Sequence, residues 1–181
     1  DRFLILGLNA ATTTLGAHRF TPASSDDAAT LGNTMYTGLG AISVYTAAKV
    51  TGTDQVVAAA NCNGTVIVRR FDNTATQITP SGGDYASITA AATHIAVEAS
   101  SADNQITLCI VVAGEPRLYA FNLTTGATLS GPVVALAAVT ATHVTLDRSA
   151  ANAVQLLFNC ADAAAEDGIQ RVTFVPSTGA V

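Results

Sequence analysis

Phenylalanine returns through this 181-residue chain at nearly constant intervals: Phe20, Phe71, Phe121 and Phe174 are separated by 51, 50 and 53 residues. Each closes a short apolar stretch just ahead of a turn rich in Thr, Ser, Asn or Asp. A period near fifty with the same local pattern at every return marks a repeat protein. Each repeat is then one supersecondary unit that can bury its apolar faces only against its neighbours.

Three strand-like segments of each unit come into register on the Phe positions. Residues 41–45, 92–96 and 141–145 form one group, in which Val44, Ile95 and Val144 align. Residues 3–9, 55–61, 104–110 and 153–159 form a second, and its Asn61-Cys62 returns as Asn159-Cys160 two periods on. The third group runs into each Phe, and a weaker fourth strand follows, as over 127–134. Second-group segments are short apolar runs between turn residues, the pattern of strands buried on both faces. Asn63-Gly64 predicts a two-residue hairpin, because both residues tolerate positive φ. No stretch has the 3.6-residue periodicity of an amphipathic helix.

Four antiparallel strands per unit of about fifty residues predict β-propeller blades. The expected fold is all-β: a single, partial propeller domain of about 3.5 blades, with units over residues 1–40, 41–90, 91–139 and 140–181. The chain opens on a second strand and stops past a third, so fourteen strands of an ideal sixteen are expected. Further chain segments or a protein partner are expected to complete the ring, since open blade edges otherwise invite association.

The stretch Thr93-His94-Ile95-Ala96-Val97-Glu98, the strand 106–112, and the segment 118–126 with its Thr125-Gly126 turn resemble YVTN-type propeller blades. The specific marks are the Thr-Gly turn and the Asn ending the second strand. The chain departs from that family in lacking a Tyr-Val-Thr-Asn quartet and in its Ala-rich core. It has no Trp, and therefore no Trp-Asp repeat signature. The resemblance implies a scaffold and not a reaction.

Hydrophobic residues make up 49% of the chain and charged residues only 12%, a balance suited to a surface covered by partners or to an Ala-rich core. The formal net charge of −5 and the single basic pair, Arg69-Arg70, argue against nucleic acid. No apolar run reaches membrane-helix length. Cys62, Cys109 and Cys160 fall in second strands of different units, too far apart to bridge, and are expected as free buried thiols.

His94 and His143 are 49 residues apart, each after a Thr (Thr93, Thr142). If the ring closes, these first strands line the axis and the four residues face the channel mouth. They read either as part of a central ligand site or as a repeated hydrogen bond to a neighbouring unit. Ser43, taken as their counterpart in the second unit, argues against a metal, and neither metal nor cofactor is expected. Glu98 and Asp147 are expected as turn caps. The segment 162–168 lengthens one hairpin, so Asp162, Glu166 and Asp167 are the candidate contact loop. No nucleophile elbow, P-loop, dinucleotide fingerprint, His-Glu-x-x-His or Cys-x-x-Cys motif occurs. The expected function is a non-catalytic scaffold, a binding or structural component of a larger assembly, extracellular or virion-associated (a phage tail or a cell surface). The alternative is part of a propeller enzyme of the lactonase, lyase or quinoprotein sort, with its site at the axial channel.

Overall fold

The computed structural model describes residues 3–20, 33–74, 76–80, 83–162 and 168–181. The chain is all-β, with no helix among the described residues and a strongly curled half-barrel sheet at its centre. Unit one contributes β1 (Phe3–Leu8), β2 (Leu15–Phe20) and β3 (Asn33–Tyr36). Unit two contributes β4 (Ile42–Thr51), β5 (Val56–Cys62), β6 (Thr65–Phe71), β7 (Gln77–Ile78) and β8 (Ala86–Thr89). Unit three contributes β9 (Ala92–Ser100), β10 (Gln105–Val112), β11 (Glu115–Asn122) and β12 (Thr128–Val134). Unit four contributes β13 (Val139–Ala150), β14 (Ala153–Asp162) and β15 (Gly168–Phe174). Fifteen strands among the described residues replace the fourteen expected, because the fourth strand of unit two is split into β7 and β8, both pairing β6. Pro80, which has no N–H for a ladder, stands between the two pieces.

Within each unit consecutive strands pair antiparallel, and unit three shows the full order β9-β10-β11-β12. The first strands of units two and three also meet directly. Val50 and Thr51 pair parallel with Ala99 and Ser100, fusing both units into one nine-stranded sheet. Asn63 (φ 50°) and Gly64 (φ 80°) form the predicted tight turn between β5 and β6.

Three apolar cores lie between successive units. Leu15, Met35 and Tyr36 of unit one pack with Ala58, Ala60, Ile67 and Phe71 of unit two. The other face of unit two, with Val57, Ala59, Val66 and Val68, packs on Ile95, Val97, Ile106, Leu108 and Phe121 of unit three. Unit three in turn presents Cys109, Val111, Leu118 and Ala120 to Leu156, Phe158 and Phe174 of unit four. The repeated Phe thus has one job at three places: Phe71, Phe121 and Phe174 are each buried and each point into the core shared with the preceding unit. Because successive strand residues point to opposite faces, both faces of units two and three are apolar. That is why their second strands read as unbroken hydrophobic runs.

The hairpin between the second and third strands also repeats a contact with the first strand of the following unit or, at Ala90, with the segment leading into it. Thr12 O accepts from Ile42 N at 2.8 Å, Gly64 O from Ala90 N at 2.9 Å, and Gly114 O from Ala141 N at 2.9 Å. Cys62, Cys109 and Cys160 are free and buried, as expected.

Candidate functional site

His94 and His143 sit near the starts of the first strands of units three and four, and the fold brings them together. Their ring centroids are 5.6 Å apart with the planes inclined by 46°. His94 is half-buried and His143 exposed. A β-bulge sets up both positions. On β9, Ala92 pairs with Val112 and His94 with Val111, so Thr93 is the extra residue. On β13, Ala141 pairs with Cys160 and His143 with Asn159, leaving Thr142 as the extra residue. A bulge bends its strand and re-aims the side chains beside it, and here it swings both imidazoles to the same side.

The same bulge occurs on β4, where Ile42 pairs with Cys62 and Val44 with Asn61 around an unpaired Ser43. The ladder therefore corrects the sequence alignment by one residue. Ser43 is the counterpart of Thr93 and Thr142, and Val44 is the counterpart of the two histidines. The hydroxyl repeats in all three units, whereas the imidazole belongs to units three and four.

Each bulge hydroxyl holds the adjacent ring. His94 Nδ1 lies 3.2 Å from Thr93 Oγ1, and His143 Nδ1 lies 3.3 Å from Thr142 Oγ1. Thr93 Oγ1 donates to Val111 O at 3.4 Å, which uses its only proton. With its proton on that carbonyl, the hydroxyl oxygen is free to accept from a hydrogen on His94 Nδ1. A neutral imidazole so arranged leaves Nε2 with its lone pair free. Asn61 fixes the start of β9 from the neighbouring unit, its Nδ2 donating to Ala92 O at 3.0 Å in a buried setting. Asn159, which repeats Asn61, faces solvent beside His143.

Among the described residues no group of three or more His, Cys, Asp or Glu is placed to hold a metal ion. Of the candidate contact loop, Glu166 and Asp167 lie outside the described residues. Asp162 closes β14, paired through its backbone with Val139.

Sequence reasoning misplaced Glu98. It does not cap a turn but stands inside β9 opposite Thr107, buried, with Arg148 of unit four bound to both of its oxygens at 2.8 and 2.6 Å. The same guanidinium also pairs with Asp103. Asp147 is exposed on β13. The turn-capping role belongs to other residues: Asp72 and Asn122, each directly after a repeated Phe, accept from the backbone N–H groups of Thr74 and Thr76, and of Thr124 and Thr125. These hydrogen bonds, with the Thr74 hydroxyl first among them, hold the Asp72 carboxyl below its usual range. A signal for the Glu98 pairing was present in the sequence. A lone charge inside the apolar run Ile95-Ala96-Val97-Glu98-Ala99 needs a partner, and Arg148 lies one repeat away. Two further cations also join neighbouring units. Arg69 pairs with Asp84 at 2.6 Å while donating to Met35 O of unit one, and Arg70 donates to Leu123 O of unit three.

No helix among the described residues is long and apolar enough to cross a membrane. Compared with known protein families and with curated proteins, the chain matches none.

Proposed function

We propose that the chain is a non-catalytic β-propeller scaffold, a binding or structural component of a larger assembly, whose contact surface includes the outward face of unit four. The observation that carries this reading is the contrast between equivalent faces. In units two and three the face turned toward the following unit is packed, by Val57, Ala59, Val66 and Val68 in one and by Cys109, Val111, Leu118 and Ala120 in the other. The ladder puts Gln155, Leu157, Asn159, Ile169, Arg171 and Thr173 at the matching places in unit four. Ile169 there is 79% exposed. Asn159 presents the amide with which Asn61 holds the next first strand. A partner surface packed on this face would meet Leu157 and Ile169 set among polar side chains, with the Asn159 amide as a ready donor. An extracellular or virion-associated home fits the Ala- and Thr-rich composition with Lys49 as single lysine. The resemblance to YVTN-type blades supports the same scaffold role.

Light scattering over a concentration series tests the proposal. Mass is expected to rise above that of one chain as concentration increases, and Ile169→Asp, at a position outside the core, is expected to return the chain to monomer. A monomer at every concentration counts against the reading, as does association that ignores Ile169→Asp.

A further inference from the structure

We infer that His94 and His143 form a two-imidazole site for one divalent transition-metal ion of the Zn²⁺ or Cu²⁺ class, a function separate from the scaffold role. Geometry is the first support. An ion about 2.1 Å from each ligating nitrogen holds two imidazole centroids between about 4.5 and 6.5 Å apart, as the N–metal–N angle opens from about 90° to linear. The observed separation is 5.6 Å, inside that span. Backbone construction is the second. Each ring follows a bulge threonine, so the two side chains are aimed by the same local device on two strands of different units. Ring orientation is the third. Nδ1 of each imidazole faces its own threonine hydroxyl, at 3.2 and 3.3 Å, so Nε2 is in each ring the nitrogen that the threonine does not engage. At His94 a hydrogen on Nδ1 has a path through Thr93 Oγ1 to Val111 O, the arrangement in which the lone pair is on Nε2. Metal-bound histidines characteristically have the other ring nitrogen held in this way, and losing the holding partner typically lowers affinity by about 10- to 100-fold.

The chemistry narrows the ion. Imidazole nitrogen suits Zn²⁺, Ni²⁺ and Cu²⁺, with Cu²⁺ bound most strongly of the series, and disfavours Mg²⁺ and Ca²⁺, which need oxygen donors. With two protein ligands the remaining positions belong to water, so the site is exchangeable and open to a further donor from a partner. Val44 stands at the matching place in unit two, which limits the protein's contribution to the pair.

Isothermal titration of the full chain with ZnCl₂, alongside electron paramagnetic resonance with CuCl₂, tests the inference. One ion per chain is expected, with nitrogen hyperfine structure in the copper spectrum. His94→Ala and His143→Ala are each expected to abolish the titration, and Thr93→Val to weaken it about tenfold. Circular dichroism of each variant confirms that the fold is kept. Absence of binding to the unmodified chain overturns the site. So does binding that survives either histidine substitution, a stoichiometry of one ion per two chains, or a copper spectrum with oxygen ligands alone.

Discussion

Arg148 faces two carboxylates of the preceding unit, and the Arg148, Glu98 and Asp103 side chains are only 14%, 10% and 16% exposed. Charges so withdrawn have lost most of their hydration, and what offsets the loss is complete pairing. Without the guanidinium, two carboxylates remain side by side with little water to solvate them. Arg148→Met keeps much of the aliphatic stem and removes the guanidinium with its charge and hydrogen bonds, and it is expected to cost about 3 kcal/mol or more, read from the urea midpoint. A loss below about 0.5 kcal/mol would mean that solvent screens the cluster as it screens a surface pair. Cys109 offers a pH-dependent counterpart. Burial pushes its thiol up to about 12 and likewise raises the Tyr36 phenol, whereas an unfolded thiol ionises near about 8.5. Between those values the unfolded chain has given up a proton that the folded chain still holds. The stabilisation is therefore full below about pH 8.5 and is lost as pH rises toward 12. The urea midpoint is expected to fall steadily from pH 8 to pH 11, and less steeply in Cys109→Ala. A midpoint independent of pH over that range would contradict the burial.

At the scale of the element, the tight hairpin between second and third strands does two jobs: it reverses the chain and it offers a carbonyl at the boundary with the next unit. Gly114 shows both in one residue. Its φ is +86°, and a Cβ added there would stand 2.9 Å from Val139 O at the start of β13. Gly64 fills the same place in unit two at φ +80°, with nothing within 4 Å of an added Cβ. Gly64→Ala therefore meets backbone strain alone, and Gly114→Ala meets strain plus a collision across the unit boundary. Strain at such a position is of order 1–3 kcal/mol, and thermal melts are expected to show a clearly larger loss for Gly114→Ala. Equal losses would mean that the boundary yields without resistance. The hairpins were legible in the sequence because the turn itself demands residues such as Asn63 and Gly64. The Phe period was legible because Phe71, Phe121 and Phe174 fill equivalent spaces. The nearness of His94 and His143 followed from their 49-residue spacing, but the bulge beside them leaves no compositional trace, so the alignment paired them with Ser43 when the ladder pairs them with Val44. Glu98 was misread for a related reason. A carboxylate near a strand end has a local use as a cap, and only the stacking of one unit on the next reveals that its partner is Arg148.

For the whole molecule, packing between nearest neighbours predicts an uneven distribution of stability. Unit three is buried on both faces, with Ile106, Leu108 and Ile110 in the core shared with unit two, and Cys109 and Val111 in the core shared with unit four. Unit four buries one face, while the other is the polar, exposed surface of Asn159, Arg171 and Thr173. In a stack where each unit is held only by its neighbours, stability is close to a sum of unit and boundary terms. A unit with one packed boundary then opens at a lower free energy than one with two. Native-state hydrogen exchange is expected to show the amides of β14 and β15 exchanging through a partial opening, with those of β10 protected up to the global unfolding free energy. Arg148→Met weakens the boundary between units three and four, and should accelerate exchange in β14 and β15 while leaving β5 and β6 near their original rates. If all strands exchange with one free energy, and the variant lowers every site equally, the four units unfold as a single cooperative body and the boundaries are stronger than this packing implies.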